Sequence, residues 1–229
     1  MLLAFLDPAT TDERLFISAS DTLQEIMSKS ALSDGSGTKT LTEPLLVWFD
    51  VVGTRIFETA AGNDDMTEIF HSLCKLLVGL GDHSTKYFAD NIASMVPIPT
   101  TPPTSRGHVI QRFLRLMLSY TGLPGYYGVD EEESELTLGF WYLYQEALWN
   151  TEYFTEDPET ERSSVPPEDA GATNGDFQQM RLAKAVYMEL IKVLRNKVVF
   201  PPPGSGWSKG SVVLAFSLAC IDQYIYRPG

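Results

Sequence analysis

The chain has 229 residues, 44% of them hydrophobic, and its 30 acidic and 17 basic side chains leave a net charge of −13. That length admits one or two compact domains or a run of repeats, and the apolar content is that of a folded protein. The acidic balance argues against nucleic acid, which needs clustered Lys and Arg, and fits basic protein partners or plain solubility.

Taken in chain order, the N-terminal MLLAFLDPATTDE has no basic region and turns acidic at once, which is not the pattern of a secretory signal. Thr11 or Asp12 can cap a first helix whose apolar face is Leu15, Phe16, Ala19, Leu23, Ile26 and Met27. A Ser/Gly/Thr-rich loop, Ser33–Thr40, follows. Glu43-Pro44 then opens a second helix, with proline in the first turn, where its missing N–H costs nothing. Its apolar set is Leu45, Leu46, Trp48, Phe49, Val52 and Ile56, and it ends at Gly62-Asn63. Asp64 and Asp65 start a third helix through Ile69, Phe70, Leu73, Leu76, Leu77 and Leu80, stopping at Gly79 and Gly81, with a short extension over Tyr87–Ile92. Cys74 lies within that run and reads as a small buried hydrophobe. The only other cysteine, Cys220, is far away, so the pattern suits a reducing intracellular compartment and offers no metal-type spacing.

Pro97–Pro103 is a break. The fourth helix, His108–Tyr120, is apolar nearly all round, which implies neighbours on both sides. The most informative stretch comes next: Thr121–Leu148, TGLPGYYGVDEEESELTLGFWYLYQEAL, a Gly/Pro turn and an acidic loop that switch sharply to a fifth helix over 134–150. Leu136, Phe140, Tyr144 and Leu148 form its apolar face, flanked by Leu138, Trp141 and Leu143. An acidic segment, Glu156–Gly175, reads as a mobile insertion before a sixth helix over 176–198, which Pro201–Pro203 ends. The longest apolar run, Ser211–Ile221, is too short for the roughly 18–20 residues that span a bilayer. No sustained period-two alternation marks a strand.

The expected fold is therefore all-α, either a bundle or a stack of helical hairpins. The stack is favoured because the helices fall into three pairs: 12–28 with 44–61, 65–80 with 108–121, and 134–150 with 176–198. Two-helix HEAT units run to about 40–47 residues and lengthen by loop insertion. The long loops near 29–42, 97–106 and 151–175 all lie inside pairs and are expected to be mobile.

The residues of the fifth-helix segment carry a resemblance. Gly122, Pro124, Gly125, Tyr127, Glu131, Leu136, Thr137, Leu138, Phe140, Trp141, Tyr142, Gln145 and Leu148 match a turn, acidic loop and FWY-bearing helix similar to those of the importin-13 branch of importin-β-type nuclear transport receptors (karyopherins). LVGLGDHSTKYFADNI upstream and AKAVYMELIKVLRNKVVFPP downstream resemble the flanking helices of that family, in the right order. The resemblance covers most of Leu15–Trp207 and implies a HEAT-type α-solenoid of about three antiparallel helix pairs, an internal segment of a longer receptor. It also implies protein cargo, the Ran GTPase and nuclear pore proteins as partners, shuttling between nucleus and cytoplasm, and no cofactor, enzyme activity, nucleic acid or membrane. The implied solenoid is 1–207. Residues 208–229, SKGSVVLAFSLACIDQYIYRPG, fit no family pattern and are expected to be the atypical tail of a truncated or mis-spliced product.

Each candidate has a plainer reading beside it. Asp130, Glu131, Glu132 and Glu133 can dock basic cargo, or can be a solvated loop whose carboxylates favour the helix N-terminus they precede. Phe140, Trp141 and Tyr142 are expected to be core rather than a ligand box. Arg181, Lys184, Lys192, Arg195 and Lys197 are expected to be a solvated face. His71, His83 and His108 share no metal-ligand spacing, and neither a nucleophile elbow nor a glycine-rich phosphate loop is present. The alternative to a receptor segment is a helical-repeat scaffold or adaptor that works without Ran.

Overall fold

The structure, a computed structural model, describes residues 2–29, 35–100, 102–126, 131–149 and 174–197. Its helices are α1 (Glu13–Lys29), α2 (Gly35–Trp48), α3 (Thr54–Ala60), α4 (Thr67–His83), α5 (Thr85–Asn91), α6 (Arg106–Thr121), α7 (Glu133–Trp149) and α8 (Asn174–Lys197). A π-helical stretch, Phe49–Gly53, joins α2 to α3. The expected insertion at 151–175 falls, apart from its last two residues, outside the described residues. So do Tyr127, Asp130 and the segment 208–229.

The helices build two layers. In one, α1 packs on α4, and α4 and α5 pack on α7. In the other, α2 packs on α6 and α6 on α8. Within a layer, successive helices run parallel. Glu43 and Asp50 on the α2 side pair with Arg106 and Arg112 of α6, and His71 and Gly81 of α4 meet Glu133 and Phe140 of α7. Between layers they run antiparallel, as when Tyr120, near the end of α6, donates to the Phe70 carbonyl at the start of α4. This is the all-α, HEAT-type arrangement of three antiparallel pairs, each burying one face against its partner and another against the next pair.

The core is continuous across all three pairs. One aromatic chain runs from Trp48 through Phe49, Phe113, Phe88 and Phe140 to Tyr144 and Tyr187, with successive ring centroids 4.9–6.5 Å apart. Helix α4 sits in the middle of its layer and buries Leu73, Cys74, Leu76, Leu77 and Leu80 completely. Among the described residues, helix α1 has one helical neighbour in its layer, α4, so its apolar arc is narrower than its sequence suggests. Leu15 and Ile26 are 51% and 41% exposed, while Phe16, Ala19, Leu23 and Met27 are buried.

Three boundaries differ from expectation for physical reasons. The loop expected up to Thr40 is already helical from Gly35, so Pro44 lies inside α2, where it has no N–H to give the carbonyl four residues back. The glycines expected to stop the third helix do not. Helix α4 continues through Gly79 and Gly81 to His83, because these residues serve close packing: a Cβ at Gly81 would lie 2.6 Å from Phe140 Cδ2. The break at Pro97–Pro103 contains a two-stranded antiparallel hairpin, β1 (Pro97–Ile98) with β2 (Thr104–Ser105). Ile98 anchors it in the core, Pro97 removes an N–H donor from β1 and Pro99 removes the one that follows it, which discourages further strand addition.

Candidate functional site

Helix α7 needs a start that satisfies its free N–H groups, and the acidic lead-in supplies it. Glu131 Oε2 accepts from the Ser134 backbone N–H at 2.9 Å, and the Ser134 hydroxyl donates to Glu131 Oε1. Glu133 Oε2 accepts from the Glu132 N–H at 3.2 Å. The carboxylates thus cap the helix and complement its positive end.

The same two carboxylates face inward. Glu131 Oε1 lies 2.7 Å from Lys197 Nζ at the end of α8, and the two side chains are 7% and 9% exposed. Lys197 also donates to the carbonyls of Leu123, at 2.9 Å, and Gly125, at 3.1 Å. One ammonium therefore gathers the Gly122–Gly125 turn, the lead-in to α7 and the end of α8. Lys197 is accordingly no part of a solvated basic face; it continues the buried strip Leu190–Leu194 at the next helical step. That in-phase position is the sequence signal for its burial. On the other side, Glu133 Oε1 is 3.2 Å from His71 Nδ1 of α4. Of the expected cargo-contact residues that are described, Glu131 and Glu133 are committed to these internal bonds and Glu132 is exposed.

The signature residues divide by phase. Phe140, Trp141 and Leu148 are buried with Thr137 and Tyr144. Leu138 and Gln145 are half-buried, whereas Leu136 and Tyr142 are 37% and 63% exposed. The buried arc is thus centred on Thr137, Phe140, Trp141 and Tyr144, and Leu136 lies off it. A buried polar chain fixes this arc. Trp141 Nε1 donates to Thr121 Oγ1 at 2.9 Å, Thr121 Oγ1 lies 2.8 Å from Thr137 Oγ1, and Tyr187 OH donates to the Trp141 carbonyl at 2.9 Å. Thr137 belongs to the signature and Tyr187 to the helix that resembles its flank, but nothing in the sequence pairs either with Thr121 or Trp141, because hydroxyl pairing is specified only in three dimensions. Gly122, Pro124 and Gly125 form the turn, and Gly125 adopts φ 107°, a conformation costly for any residue with a Cβ.

Chemically, this is a fastening. Cys74, His71 and Glu133 do come together, yet the Cys74 thiol points to the Glu133 carbonyl at 3.7 Å and is fully buried. Burial and the neighbouring Glu133 carboxylate push that thiol well above its ordinary range, the opposite of what a nucleophilic cysteine needs. Burial likewise raises the Tyr144 and Tyr187 hydroxyls. Among the described residues, no three His, Cys, Asp or Glu side chains are placed to hold a metal ion, and no helix is long and apolar enough to cross a membrane.

No protein-family model matches the chain. Across 145 residues, 62% of the chain, it is 30% identical to importin-13 of Homo sapiens and of Mus musculus, and 29% identical to importin-13 of Gallus gallus. The matched segment is 11% of each relative's length, so the chain spans about a tenth of the curated proteins it resembles.

Proposed function

We propose that the chain is a segment of a nuclear transport receptor that carries protein cargo through the nuclear pore under control of the Ran GTPase, moving between nucleus and cytoplasm. The observation that carries this reading is the similarity to importin-13 over 145 residues, in a chain whose described helices stack into a two-layer repeat. The mechanism is conformational. A superhelix of stacked pairs changes curvature as cargo and GTP-loaded Ran exchange, so each ligand acts through its different affinity for two shapes of the same scaffold. The layer formed by α2, α3, α6 and α8 supplies the inner face for such contacts. In the acidic run, Glu132 is the described member whose carboxylate is free to meet a basic cargo.

The complete gene product that carries this chain, immobilised and offered Ran loaded with a GTP analogue or with GDP, is expected to retain the GTP form selectively. Equal retention of both forms, or of neither, contradicts the reading and favours a Ran-independent helical-repeat scaffold or adaptor.

A further inference from the structure

The cations of α8 outside the fastening share one side of the helix. Leu190 is fully buried, and Arg181, nine residues or two and a half turns before it, lies on the opposite side, away from the core. At 100° per residue, Lys184, Met188, Lys192 and Arg195 all fall within about 60° of Arg181. All five are exposed, Met188 at 47%. Lys197, in contrast, falls on the side of Leu190, where Glu131 meets it. The outward face of α8 is thus two cation pairs, Arg181 with Lys184 and Lys192 with Arg195, and a thioether between them.

This face is poorly neutralised by its surroundings. Lys192 reaches Glu189 of its own helix at 2.7 Å, but both side chains are exposed, and a solvated pair of this kind holds either charge weakly. Among the described residues, Arg181, Lys184 and Arg195 form no ion pair. Lys29 of α1, Lys86 of α5 and Arg112 of α6 each have an acidic partner. Arg14, Lys75 and Arg115, which also form no ion pair among the described residues, stand singly on three different helices. An apolar centre inside a charged rim is the anatomy of an interface, and here its sign is opposite to the net charge of −13.

The spacing names the occupant. Arg181 to Lys192 and Lys184 to Arg195 are both eleven residues, three helical turns, so the two pairs lie about 17 Å apart along the axis. An acidic helix laid along α8 matches that distance with carboxylates eleven residues apart, and sets an apolar side chain over Met188, whose flexible thioether adapts to it. A nucleic acid strand carries its phosphates continuously, so most of them would lie against the acidic remainder of the chain.

We propose that the outward face of α8, formed by Arg181, Lys184, Met188, Lys192 and Arg195, docks an acidic amphipathic helix of a partner protein, with carboxylates on the two cation pairs and an apolar side chain on Met188. The inference stands independently of the transport reading. The probe is a fluorescent helical peptide of alanine and glutamine carrying two glutamate pairs eleven residues apart and a leucine midway, titrated with the full chain. Saturable binding is expected, weakened roughly tenfold or more by Arg181→Glu with Lys192→Glu, and severalfold by Met188→Ser. The same charge change on other helices, Lys75→Glu with Arg115→Glu, is expected to alter affinity by less than about twofold. A peptide of identical composition with its glutamates gathered at one end is expected to bind about fivefold or more weakly. Equal binding of the two peptides overturns the proposal, as does the absence of saturable binding or an equal loss in the two charge-reversed chains. Tighter binding of an oligouridylate of matched charge overturns it in favour of nucleic acid. A dimer in sedimentation that Arg181→Glu with Lys192→Glu abolishes also overturns it, because a second copy then occupies the face.

Discussion

Lys197 Nζ lies 2.7 Å from Glu131 Oε1 with both side chains almost wholly buried, and the same ammonium holds the carbonyls of Leu123 and Gly125. The acidic lead-in to α7 is therefore a structural device as much as a surface. It joins the last two helices of the described stack to the turn between α6 and α7. A buried, fully hydrogen-bonded pair of this kind adds little net stability over an apolar pair but fixes one geometry, because removing either partner strands the other.

Trp141 is 3% exposed and donates its indole N–H to Thr121 Oγ1. Trp141→Ala is expected to lower unfolding stability by about 3–5 kcal/mol in urea titrations. Trp141→Phe keeps much of the packing and loses the donor, so a smaller loss is expected. A Trp141→Ala effect under about 1 kcal/mol would show that the ring is not core.

Two glycines of neighbouring helices should respond oppositely to alanine. At Gly81 the added Cβ would stand 2.6 Å from Phe140 Cδ2 and 3.1 Å from Met117 Cε, and Gly81→Ala is expected to cost about 1–3 kcal/mol. At Gly139, on the open side of α7, nothing lies within 4 Å, and Gly139→Ala is expected to stabilise by up to about 1 kcal/mol through helix propensity. Paired thermal melts check both signs.

His83 is half-buried, and burial lowers its pKa below the usual histidine value. Its folded pKa lies below its unfolded one, so the unfolded chain binds the extra proton first. The His83 contribution is complete above the ordinary histidine range and is lost as pH falls through it. Midpoint denaturant concentration should therefore fall on acidification from neutrality, and His83→Gln should flatten that fall. Asp82 opposes it: although the residue is exposed, partial desolvation beside the packed helix raises its carboxyl to about 6 and favours the protonated form in the fold. The comparison between variants isolates His83.

Much of the architecture is legible in the sequence because helices here are long and their apolar residues recur at helical steps. The three pairs, the packing role of Phe140, Trp141 and Leu148, and the all-α class all follow from that periodicity. Phase is harder. Leu136 is as apolar as Leu148, yet Thr137 takes the buried place because its hydroxyl meets Thr121, a partner 16 residues away. Gly79 and Gly81 look like a helix stop because glycine is intrinsically poor in helices, and only the nearby Met27 and Phe140 side chains reveal why α4 passes through them. Lys197 follows the same logic: a charged residue is read as solvated until a buried carboxylate is found facing it.

The central claim, that the acidic lead-in and the end of α8 form one internal clasp, is tested most directly by a double-mutant cycle on Glu131→Gln and Lys197→Met. The coupling free energy from urea denaturation is expected to be about 2–3 kcal/mol, with the double variant more stable than the sum of the single losses implies. A coupling below about 0.5 kcal/mol, the value of a solvated surface pair, would contradict it.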